Sequence, residues 1–166
     1  MKLSDSAGAV RLLNVVNSVD TAVCDVETKR WDELGRDLPA SARIFTVSMD
    51  LPYAMGRWQR DAGVAHQMLS SHRDEQFGRD YGVLIKEWRL LQRSVFVIDG
   101  DGRLVHVEYV ADQMREPDYD AGHRGRLQGL TSNASGLGCR HSTAGGVSGP
   151  GLTWTPHSPK GPMPIR

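Results

Sequence analysis

The sequence predicts a three-layer α/β sandwich around a mixed β-sheet, and three observations carry that expectation. Apolar runs of strand length alternate with stretches of helical spacing in the first third of the chain. Two further strand-like runs late in the chain are joined by a connection rich in Asp and Gly, and a helix start follows them. Alternating strands and helices require parallel crossovers, whereas the tight connection requires an antiparallel hairpin, so the sheet must mix both.

Residues 10–17 carry Leu12, Leu13, Val15 and Val16 and read as a short buried strand. Residues 24–36 place Val26, Trp31 and Leu34 at helical spacing. A second strand covers 43–49 through Ile44, Phe45 and Val47, and Leu51-Pro52 opens a second helix, because proline suits a first turn. The charged stretch from Asp61 to Asp80 reads as loops with one short helix. Strand-like runs at 94–98 and 104–110 flank Asp99-Gly100-Asp101-Gly102-Arg103, where Asp and Gly tolerate the positive φ of a hairpin connection. Glu116-Pro117-Asp118-Tyr119 begins a helix that the glycine-rich sequence beyond it is not expected to extend. Trp31, Trp58 and Trp88 read as core or edge packing, and Trp154 stands in the tail.

At 166 residues, one domain with a real core is expected. A formal net charge of zero gives no global attraction to nucleic acid or to a membrane surface. No apolar run approaches the roughly 20 residues of a membrane span. Met1-Lys2-Leu3-Ser4-Asp5-Ser6 lacks the apolar core of a signal peptide, so a cytoplasmic location is expected. Two cysteines, Cys24 and Cys139, make no disulfide scaffold, and reduced thiols are expected. The six histidines show no metal-ligand spacing, and neither a metal nor another cofactor is expected.

The balanced charge hides an asymmetry, because no Asp or Glu follows Asp120. Residues 122–166 also hold 10 of the 18 glycines and 5 of the 8 prolines. A segment of that composition buries too little apolar surface to offset its ordering entropy. The expected division is a folded domain over 1–121 and a disordered Gly/Pro/Ser-rich tail over 122–166. The composition of the tail also suits a stretch read in a shifted frame.

Chemistry concentrates at Ser18-Val19-Asp20-Thr21-Ala22-Val23-Cys24. Cys24 falls in the first turn of the predicted helix. There, unpaired backbone N–H groups and the positive end of the macrodipole favour the thiolate, the nucleophilic form. Thr21, one turn earlier, can orient a nucleophile through its hydroxyl or cap the helix. On position alone, a small buried hydrophobe beside an N-cap threonine is the simpler reading.

The stretch from Ser18 to Arg30 (SVDTAVCDVETKR) resembles the peroxidatic loop and helix of bacterial thiol peroxidases, a branch of the peroxiredoxins. Thr46 to Arg57 (TVSMDLPYAMGR), Ser71 to Gly82 (SHRDEQFGRDYG), Arg93 to Asp99 (RSVFVID) and Glu108 to Tyr119 (EYVADQMREPDY) are similar to later blocks of that family, in the same order. The resemblance spans residues 8–121 and implies a thioredoxin-like fold that is incomplete at both ends. It implies an antioxidant, thiol-dependent peroxidase that reduces hydrogen peroxide or alkyl hydroperoxides through a sulfenic acid on Cys24. Thr21 would orient thiolate and peroxide, and Arg93 would favour the thiolate and stabilise the transition state. Family members often pair as homodimers near the peroxidatic loop.

Two departures bear on that implication. Relatives carry a proline where this chain has Asn17, which cannot lock φ, so a looser and wetter pocket is expected. The resolving cysteine usual in the family is replaced by Gln59, and an amide cannot attack a sulfenic acid. Resolution is therefore expected to need thioredoxin or another external thiol. The same departures would also suit a catalytically impaired remnant acting at most as a redox-sensing or binding protein.

Overall fold

The computed structural model describes residues 3–36 and 38–136. After a short 3-10 turn at Leu3–Ser6, the chain forms β1 (Val10–Val15), α1 (Ala22–Gly35), β2 (Ala42–Ser48), α2 (Pro52–Ala62) and β3 (Gln67–Ser70). Next come α3 (Gln76–Asp80), β4 (Leu84–Ile85), β5 (Leu90–Leu91), β6 (Ser94–Ile98), β7 (Leu104–Tyr109) and α4 (Tyr119–Gly136). Five strands make one sheet in the order β3-β2-β1-β6-β7, while β4 and β5 pair separately. β1, β2 and β3 are parallel, and β6 and β7 join antiparallel. This is the mixed α/β sheet that the element order requires.

β1 is buried along its whole length and divides the interior into two layers. Val10 and Leu12 pack with Trp31 of α1, Ile44, Val95 and Val97, and Tyr119 and Leu130 of α4 close that layer. Leu13 and Val15 face the opposite layer with Phe45, Val47, Phe96 and Ile98, covered by Phe77, Tyr81 and Leu84. α2 meets the start of α1 in a third cluster, where Met55 and Trp58 pack with Val19 and Cys24. The predicted hairpin forms at Asp99–Arg103: Asp99 N–H bonds to the Arg103 carbonyl at 2.9 Å, and Gly102 takes φ of 86°.

Several expectations need correction. β3 arises where a loop was expected, and the β4–β5 pair arises where no element was assigned, because these strands are too short for a legible alternation. Val26 is exposed and Trp88 is 71% exposed, so neither is core. The face α1 buries consists of Cys24, Glu27, Thr28, Trp31 and Asp32, a helical repeat that is mostly polar and hence invisible to a search for apolar spacing.

The largest correction concerns the segment from 119 onward. The helix expected to stop continues as α4 to Gly136, which places residues 122–136 outside the expected disordered tail. Its glycines are the reason. Gly122, Gly125 and Gly129 share one face, and a Cβ at Gly125 would lie 2.5 Å from the His106 Cβ, while one at Gly122 would lie 2.7 Å from Trp31. Glycine here permits close approach of helix to sheet. The remainder of the expected tail, with Cys139 and Trp154, lies outside the described residues.

Gly125→Ala is therefore expected to lower unfolding free energy by about 1–3 kcal/mol through overpacking, despite the helix propensity gained. Leu127→Ala on the exposed face is expected to change it by less than about 0.5 kcal/mol. Urea denaturation of the two variants checks this, and equal effects would count against the glycine contact.

Candidate active site

α1 starts at Ala22, with Thr21 in extended conformation at its N-cap. Cys24 is thus in the first turn, and it is fully buried. The Thr21 side chain does not cap the helix; its hydroxyl donates to the Ser18 carbonyl at 3.1 Å and the residue is exposed. Among the described residues no hydrogen bond links Thr21 to the Cys24 sulfur.

Arg93 immediately precedes β6 and is only 1% exposed. One guanidinium nitrogen lies 3.3 Å from Cys24 Sγ and donates to it. The same nitrogen donates to the Gln113 carbonyl at 2.9 Å, and the other terminal nitrogen bonds to the Glu27 carboxylate. The Arg93 backbone N–H donates to Gln113 Oε1 at 3.0 Å. Sequence reading brought Cys24 and Arg93 forward, and the fold brings them together across 69 residues of chain.

Glu27 is the residue that reading missed. It lies three positions after Cys24, one helical turn along the buried face, so a carboxylate at that spacing was the available signal. Burial pushes its carboxyl up to about 8, against the opposing pull of the Arg93 charge. Its Oε1 is buried and takes no hydrogen bond among the described residues. The contact with Glu27 holds the guanidinium beside the sulfur. Gln113 had no signal in the sequence, since only the fold carries it to Arg93.

The two family departures have structural answers. Asn17 Nδ2 donates to the Leu91 carbonyl at 2.8 Å, so a side-chain bond tethers the loop. Gln59 Nε2 donates to the His66 carbonyl at 2.9 Å and ties α2 to the turn before β3. Lys29 and Arg30 are exposed and pair with Asp25 and Glu33, as expected of a solvated face.

A second polar group fixes the far half of α1. Asp32 accepts from Ala65 N–H at 2.8 Å, His66 N–H at 3.0 Å and His66 Nδ1 at 3.0 Å. His66 Nε2 meets Thr46 Oγ1 at 2.8 Å, and Asn14 donates to that same hydroxyl at 3.1 Å. Burial lowers the His66 pKa, with the Asp32 contact opposing it. Burial alone would raise Asp32; the His66 and Ala65 hydrogen bonds outweigh it and hold the carboxyl below its usual range. Among the described residues no three His, Cys, Asp or Glu side chains converge to hold a metal ion, and no helix is long and apolar enough to cross a membrane.

Residues 1–107 match the model of the AhpC/TSA family. The chain belongs to that family. Among curated AhpC/TSA relatives, a thiol peroxidase of Halalkalibacterium halodurans is 47% identical over 71% of each chain, and that of Bacillus subtilis is 44% identical over the same shares. Among solved structures, a peroxiredoxin-like protein from Aquifex aeolicus superposes with a TM-score of 0.68 at 31% identity, over 74% of this chain and 72% of its own. AhpC of Enterococcus faecalis, at 19% identity, has a TM-score of 0.66 over 84% of both chains and shares the fold. The fold is therefore the thioredoxin-like one expected of the family.

The proton on Glu27 gives a stability prediction. In the folded state the carboxyl keeps its proton up to about 8, whereas the unfolded carboxyl loses it near 4.5. Stability from this group is thus fully present below the lower value and lost as pH rises through the upper one. The unfolding free energy of wild type relative to Glu27→Gln is expected to fall across that window. A difference that is flat with pH would contradict it.

Proposed function

We propose that this chain reduces hydrogen peroxide or small alkyl hydroperoxides with a thiol as reductant, Cys24 being the nucleophile. The observation that carries the reading is the Arg93 guanidinium 3.3 Å from Cys24 Sγ in the first turn of a helix. A fixed charge and helix N–H groups both stabilise negative charge at that point.

The Cys24 thiolate attacks one peroxide oxygen, the O–O bond breaks, and the sulfur becomes a sulfenic acid. The leaving alkoxide or hydroxide takes a proton and departs as alcohol or water. Arg93 bears the charge that develops on the oxygens, and its fixed position avoids reorganisation during the step. Thr21 keeps its hydroxyl hydrogen on Ser18, so its lone pairs are free to accept the peroxide hydrogen.

Gln59 offers no sulfur, so an external thiol attacks the sulfenic acid, releasing water and leaving a mixed disulfide. A second thiol then restores Cys24. Thioredoxin or a small-molecule thiol would serve, in the cytoplasm. The exposed Leu51 and Tyr53 next to the loop offer an apolar surface for a homodimer.

A stoichiometric peroxide pulse on reduced protein, with sulfenic acid trapped and mapped by mass spectrometry, tests this. Wild type is expected to label rapidly at Cys24, Cys24→Ser not at all, and Arg93→Ala about 100-fold more slowly. Labelling of wild type no faster than a free thiol would overturn the reading.

A further inference from the structure

Cys24 is fully buried, and the loop that leads into α1 packs in one cluster with it through Val19. That loop, from Asn17 to Thr21, is held on two sides by contacts with segments far away in sequence. On one side stands Asp50, between the end of β2 and the start of α2. Its Oδ1 accepts from Ser18 Oγ at 2.9 Å. Its Oδ2 accepts from Val19 N–H and from Ser48 Oγ, both at 2.9 Å. Asp50 is itself fixed, since its N–H donates to Ser48 Oγ at 3.2 Å and its carbonyl accepts from Ser70 Oγ at 2.5 Å. On the other side Asn17 donates to the Leu91 carbonyl of β5.

We propose that Asp50 is a positioning residue for Cys24: its carboxylate, clamped to β2 and β3, locks Ser18 and Val19 and thereby sets the shape and opening of the loop over the sulfur. The inference rests on the peroxidase reading for its kinetic arm alone. Every donor aimed at the carboxylate is an N–H or O–H, so the site calls for an acceptor at both oxygens. Asp50→Asn keeps the size and replaces one acceptor by an N–H₂ group facing a donor. Ser18 also carries the consequence onward, because its carbonyl receives both the hydroxyl and the N–H of Thr21, at 3.1 and 3.2 Å. A shift of Ser18 therefore moves the N-cap of the cysteine helix.

The test compares reduced full-length wild type with Asp50→Asn, Ser18→Ala and Asn17→Ala in three measurements. These are iodoacetamide alkylation of Cys24 followed on its own peptide, hydrogen exchange at the Val19 amide, and single-turnover oxidation by hydrogen peroxide. Asp50→Asn is expected to raise Cys24 alkylation about tenfold, to remove Val19 protection, and to slow peroxide oxidation about tenfold, with helix content unchanged. Ser18→Ala and Asn17→Ala, which each remove one tether, are expected to act in the same direction by about threefold. They carry the decision should Asp50→Asn not fold. Wild-type alkylation and exchange rates in the variants would overturn the proposal, as would faster alkylation with an unchanged peroxide rate in a wild type that reacts rapidly. If wild type itself reacts with peroxide no faster than a free thiol, the peroxidase reading fails, and alkylation and exchange still decide the clamp.

Discussion

Taking the Arg93 guanidinium out of water costs several kcal/mol unless its donors are met and its charge is balanced. At 1% exposure its two terminal nitrogens are met by the Glu27 carboxyl group, the Gln113 carbonyl and the Cys24 sulfur. Those three partners come from two turns of α1 and from the segment beyond β7. These contacts tie the first turns of α1, the start of β6 and the approach to α4 into one unit. Removing one partner of a buried ion pair leaves a buried charge and costs roughly 3–5 kcal/mol, so the arrangement is all or nothing. The chemistry and the fold share the same contacts.

α1 needs a polar buried face to serve both ends. Its first two turns present Cys24 and Glu27 to Arg93, Thr28 accepts from Asn14 at 3.4 Å, and Asp32 holds the turn that precedes β3. Trp31 supplies the apolar anchor between them and packs edge-on against Tyr119 with ring centroids 5.0 Å apart. Buried polar groups bonded in this way favour one register of helix on sheet, which an apolar stripe alone would leave free to slide. Trp58, bonded to Asp25 at 3.1 Å, adds the tie to α2.

Much of this was legible in the sequence. Strand and helix periods placed β1, α1, β2 and α2, and the Asp/Gly connection placed the hairpin, because each rests on local chemistry. Cys24 at a helix start was legible for the same reason, whereas Arg93 needed the family blocks to single it out. Glu27 was readable at one turn from Cys24, but a charged residue on a helix usually faces water. Asp50 and Gln113 were not readable, since their roles depend on which strands become neighbours. The glycines of α4 misled because composition counts glycine as disorder, whereas their positions at 122, 125 and 129 describe one close-packed face.

The central claim is that Glu27 acts on Cys24 through Arg93, by fixing the guanidinium and, once its carboxyl ionises as pH rises through about 8, by balancing its charge. A double-mutant cycle of Glu27→Gln and Arg93→Lys, read above pH 8, where Glu27 is ionised, as the rate of Cys24 sulfenic acid formation in a single turnover, tests it most directly. The account predicts strong coupling, more than about 1 kcal/mol, with Glu27→Gln nearly silent once Arg93 has been replaced. Additive effects of the two substitutions would contradict it.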